Sequence, residues 1–167
     1  MKIFYNKNIV KSFKNALDRM QEKNWDCIYV LVDVHGTIFF PSYNNEETYE
    51  FYPYAEETLQ ILSQMPNVKL ILWSCTKKEY FDKYLKVLND HEIYPDYCNE
   101  NPEVKVQPSD PESLSFDTKW YYNVGIDDKF GFDANEDWEQ LYYFLSHYYL
   151  ENFIYKDFFS NIIDKLF

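Results

Sequence analysis

The chain reads as an α/β protein, a mostly parallel sheet with helices on both faces. Two observations carry that reading. Three short apolar runs, "CIYVLVDV", "VKLILWS" and "WYYNVGIDD", lack a strict polar alternation, as strands buried on both sides do. Around them lie segments whose apolar residues recur at helical spacing. Strands alternating with helices imply parallel pairing through crossover connections. The expected stack is helix, sheet, helix: a three-layer, Rossmann-like sandwich.

In chain order, Ile9, Val10, Phe13, Ala16, Leu17 and Met20 predict a helix over 7–23 with one apolar face. "CIYVLVDV" is the first strand. Pro53 opens a second helix through Leu59, Leu62 and Met65, because proline suits a first helical turn. "VKLILWS" is the second strand, ending at Ser74. Thr76 and Glu79 then have capping-box spacing for a helix through Tyr84 and Leu88. Residues 94–118 are rich in Pro, Asp and Ser and read as loop with one short strand. "WYYNVGIDD" is the third strand, and Asp133 is suited to cap a helix through "DANEDWEQLYYFLSHYYL". That helix's aromatic stripe, 138–149, reads as core packing. The tail 151–167 is a last amphipathic helix. With no repeat and no linker, the 167 residues read as one domain. Its core spans about 26–150, with the helices 7–23 and 151–167 as additions.

At 46% hydrophobic and 21% aromatic, the chain has ample material for a packed core. Its formal net charge of −12 argues against a nucleic-acid or anionic-membrane surface, since phosphate backbones are bound through Lys and Arg. Cys27, Cys75 and Cys98 have no metal-ligand spacing and read as buried thiols in a reducing compartment. "MKIFYNKNIV" lacks a long apolar stretch, and no segment approaches the ~18 apolar residues of a membrane helix. These features point to a cytoplasmic protein with no membrane partner.

In parallel sheets, ligands bind at the carboxyl ends of the strands. The first strand ends in Asp33, the second in Ser74, and the third in Asp127 and Asp128. Carboxylates gathered at one edge repel one another unless a cation sits among them. Hard oxygen ligands select Mg²⁺ or Ca²⁺, and Mg²⁺ is usual where phosphate is handled. His91 and His147 fall within helical patterns and read as structural. A receiver domain also uses acids, a hydroxyl and a lysine, but its acid pair comes on the first strand, whereas here the pair comes last.

The set "VLVDVHGTI", "LILWS", a lysine and "VGIDDK", in that order, resembles the haloacid dehalogenase-like (HAD) hydrolase superfamily. The resemblance implies an Mg²⁺-dependent phosphohydrolase acting through an aspartyl-phosphate. Asp33 would be the nucleophile. The metal would be held by Asp33, the backbone carbonyl of His35, Asp127 and Asp128. Ser74 would bond the transferring phosphoryl oxygen, and Lys119 would neutralise charge, with Lys105 as its rival. Thr37, Ser74 and Cys75 are the candidate substrate-binding residues, Cys75 otherwise reading as a packed thiol. The family's second aspartate, a general acid–base, is His35 here. Histidine can do that work, or it can mark a scaffold that binds without turnover, which is the alternative reading. The gaps flanking Ser74 hold a helix each and no inserted cap domain, with 40–54 as a small flap. Capless members take large substrates or complete the site by forming homo-oligomers. The expected substrate is a phosphorylated small molecule or macromolecule.

Overall fold

The computed structural model describes residues 7–41, 48–104 and 120–155. Among these residues, four α-helices and four strands follow in chain order. They are α1 (Asn8–Lys23), β1 (Ile28–Asp33), α2 (Ala55–Gln64), β2 (Val68–Trp73), α3 (Lys78–Asp90), β3 (Tyr97–Cys98), β4 (Val124–Ile126) and α4 (Asp137–Tyr149). The strands form one parallel sheet in the order β3-β2-β1-β4. This is an α/β fold consistent with a Rossmann-like three-layer sandwich.

The two longest apolar runs take the centre of the sheet. β1 and β2 pair over six residues, from Ile28 opposite Val68 to Asp33 opposite Trp73. Alternation then sorts their side chains. Ile28, Val30, Val32, Val68, Leu70 and Leu72 join the main core with Val124 and Ile126 of β4. Leu31 and Ile71, on the other side, are buried as well. There Tyr29 meets the edge of Tyr121, and Trp73 the edge of Trp120. The apolar face of α1 buries all six residues expected from its spacing, and α4 packs against both α1 and α2. No helix among the described residues is long and apolar enough to cross a membrane.

Five local expectations are corrected. The Thr76–Glu79 capping box does not form: α3 starts at Lys78 after an extended Lys77 with no side-chain cap. The Thr76 N–H instead donates to Ser74 Oγ at 3.2 Å, which ties the loop to the strand end. Asp133 closes a turn ahead of α4, accepting from Asn135 N–H, while Asp137 Oδ2 accepts from Asp133 N–H. β4 is shorter than its run. Asn123 engages Tyr29 through both its backbone N–H, which donates to Tyr29 O, and its side-chain oxygen, which accepts from Tyr29 N–H. The ladder therefore begins only at Val124. The thiols are not sealed in the core: Cys27 and Cys98 are half-buried and Cys75 is exposed. Of the expected helix over 151–167, the described part is a π-type turn, Leu150–Ile154, continuing α4; the rest lies outside the described residues.

Candidate active site

Three of the four strands deliver the site. Asp33 is the last residue of β1, Ser74 follows β2, and Asp127 and Asp128 follow β4. Carboxylate oxygens of Asp33, Asp127 and Asp128 all lie within 4.8 Å of one another. Burial pushes the Asp33 carboxyl up to about 6, and the charge of Asp127 pushes in the same direction. The Thr37 hydroxyl and the Val34 backbone N–H pull the other way without cancelling the rise.

The turn after β1 is built around the acids. Gly36 has φ 75°, and a Cβ there would stand 3.6 Å from Asp128 Oδ2. A side chain would thus meet left-handed strain and come into contact with Asp128. Thr37 is fully buried. Its hydroxyl donates to Asp33 Oδ2 and accepts from Asp128 N–H, both at 3.2 Å. With no exposed surface, Thr37 orders the acids of two strands instead of touching a ligand. The loop is pinned from behind by Trp138 of α4, whose indole N–H donates to Thr37 O at 2.8 Å. Asp127, itself buried, accepts from Lys129 N–H at 2.7 Å and starts a 3₁₀ turn over Asp128–Phe130.

His35 joins this turn to the neighbouring elements. Its Nε2 lies 2.5 Å from Tyr84 OH on α3 and its Nδ1 lies 3.5 Å from Ser74 Oγ. Partial burial lowers its pKa, which favours the neutral ring. Ser74 is clamped by Asn99, just past β3. Asn99 Oδ1 accepts from Ser74 N–H, and its Nδ2 donates to Ser74 O, both at 2.8 Å. Asn99 has φ 53°, a left-handed conformation that asparagine tolerates better than most residues. We expect Asn99→Ala to cost about 1–3 kcal/mol in denaturant unfolding, because the buried Ser74 N–H loses its acceptor. Asn99→Gly should relieve the backbone strain while still losing the clamp.

Cys75 sits exposed beside Ser74. Lys119 and Lys105 lie outside the described residues. One cation that the sequence reading passed over is Lys129, whose Nζ reaches both Asp128 oxygens, at 2.5 and 2.6 Å. Its place directly after the acid pair was the available signal. Tyr84, Asn99 and Trp138 were also passed over as site residues. Tyr84 and Trp138 read as helix core, Asn99 as loop, and each reaches the site from a distant part of the chain.

The segments 38–40 and 50–52 pair antiparallel. Phe40 N–H donates to Glu50 O, and Tyr52 N–H donates to Ile38 O. This places the described part of the 40–54 flap directly beside the His35 turn.

No protein-family model matches the chain, and no curated protein does. Among solved structures, a conserved protein coded by a locus from Bacteroides thetaiotaomicron is similar to it. That similarity has a TM-score of 0.52 and 26% sequence identity, and covers 72% of this chain and 91% of that one.

Proposed function

We propose that this protein is an Mg²⁺-dependent phosphohydrolase of HAD-like type, acting through an aspartyl-phosphate on Asp33. The reading is carried by the convergence of Asp33, Asp127 and Asp128 at one sheet edge, beside Ser74. A hard divalent cation fits three convergent carboxylates, one of them held up near 6 by burial and by the charge of Asp127. Bound there, the cation supplies charge neutralisation for a phosphoryl group meeting a carboxylate.

The chain's own residues supply the rest. An Asp33 oxygen attacks phosphorus, and the bond to the leaving oxygen breaks. Thr37 keeps the attacking carboxylate in place. The hydroxyl of Ser74, which accepts from Thr76 N–H, would donate to a phosphoryl oxygen. Water then attacks the phosphorus of the acyl phosphate and gives its proton to His35. The bond between Asp33 and phosphorus breaks, inorganic phosphate leaves, the Asp33 carboxylate is restored, and His35 returns its proton to the departed alkoxide or to solvent.

A neutral His35 suits this second step better than the first, where a proton must reach the leaving oxygen. Turnover should therefore favour leaving groups that need no proton. p-Nitrophenyl phosphate should be cleaved faster than an alkyl phosphate, and His35→Asp should narrow the gap by roughly 10²-fold. Equal rates on both substrates in the wild type would contradict this role.

A HAD-like protein that binds without turnover is favoured by one observation: His35 is engaged by Tyr84 and Ser74. That reading predicts Mg²⁺ binding with no hydrolysis of any phosphate ester. The unpaired thiols fit the reducing, cytoplasmic setting in which such an enzyme would work.

A further inference from the structure

A second cleft opens at the other edge of the sheet, near the amino ends of β1 and β2. It encloses about 750 Å³, within the range of small-molecule sites. It shares none of its lining with the acid site. Trp25, Tyr29 and Tyr121 give it ring walls, with Tyr29 and Tyr121 edge to face at 6.0 Å. Trp25 remains 38% exposed.

Negative charge is in excess among the described lining residues of the cleft. Among its lining residues, Asp26 and Glu103 are acidic and Lys69 is the basic one. Lys69 is already bound to Asp96 Oδ1 at 2.8 Å, outside the lining. Glu103 is fixed from two sides. Tyr29 OH donates to its Oε2 at 2.7 Å, and Tyr97 OH donates to its Oε1. Those phenols, Tyr97 first, hold its carboxyl below the usual range, so it stays ionised. Aromatic walls around fixed negative charge attract a poorly hydrated cation and repel anions.

We propose that this cleft binds an organic cation, a substituted ammonium group on an apolar body, with Glu103 and Asp26 as counter-charges and Trp25 as a ring wall. The proposal is independent of the reaction at Asp33. The test is calorimetric titration of the full chain with benzyltrimethylammonium, benzyl alcohol and benzenesulfonate, with Trp25 indole N–H shifts followed by NMR. The expected result is saturable 1:1 binding of benzyltrimethylammonium at millimolar concentration or tighter, with movement of the Trp25 signal. The alcohol should bind at least tenfold more weakly, and the sulfonate not at all. Glu103→Gln should weaken cation binding tenfold or more. Trp25→Leu, a change at an exposed position, should weaken it severalfold and guards against a folding defect in the first variant. The proposal is overturned if the alcohol or sulfonate binds as well as the cation, if no cation binding is seen, or if both variants bind like the wild type.

Discussion

Asp33→Asn should abolish turnover and at the same time stabilise the metal-free protein. The loss of turnover should be on the order of 10³-fold or more, because an amide cannot take the nucleophile's role. The stability gain follows from the raised carboxyl. Its folded value near 6 lies above the unfolded carboxylate value of about 4. Between those pH values the folded protein holds a proton that the unfolded chain has released. Metal-free protein therefore loses stability as pH rises from about 4 to 6, and it carries the full penalty at pH 7. Asparagine removes the charge and keeps an acceptor for the Thr37 hydroxyl. Allowing for solvent screening of this partly exposed group, the gain at pH 7 should be about 1–2 kcal/mol. Thermal unfolding in chelator, read beside phosphatase assays, checks both halves. A variant with wild-type turnover would remove Asp33 from the reaction.

Trp138→Ala should be the most destabilising single change in the loop's support. The side chain is fully buried, packs edge-on against Phe132 at 4.9 Å, and donates to Thr37 O. Truncating a buried tryptophan costs about 3–5 kcal/mol. Trp138→Phe separates packing from hydrogen bonding. It keeps most of the apolar contact but leaves a buried carbonyl without its donor, at about 1–3 kcal/mol. Thr37 bonds both Asp33 and Asp128 N–H, so the Phe variant should also lower kcat while leaving the sheet intact. Denaturant unfolding and steady-state kinetics on the same preparations test this. A Phe variant as stable and as active as the wild type would show that the indole bond does not hold the site.

Much of the frame is legible in the sequence because it rests on local pattern. The apolar runs of β1 and β2 cannot be satisfied except in the sheet's centre, and six apolar positions define the buried face of α1. The acids fall at strand ends because parallel strands share a direction, so their carboxyl ends meet at one edge. What stays hidden depends on contacts across long separations. Asn99 reaches Ser74 across 25 positions and Trp138 reaches Thr37 across 101; no periodicity encodes either. Asn123 shortens β4 by pairing with Tyr29 through its side chain, a choice that an apolar run does not announce. The Thr76–Glu79 spacing misled because a nearer acceptor, Ser74 Oγ, takes the Thr76 N–H.

The most direct test is to trap the intermediate. Wild-type protein is mixed with p-nitrophenyl phosphate and Mg²⁺, quenched in acid, reduced with borohydride and mapped by peptide mass spectrometry. An aspartyl-phosphate at position 33 predicts conversion of Asp33 to homoserine, dependent on both substrate and Mg²⁺ and absent in Asp33→Asn. Steady hydrolysis with Asp33 unmodified, or with the modification on another carboxylate, would contradict the assignment of Asp33 as the nucleophile.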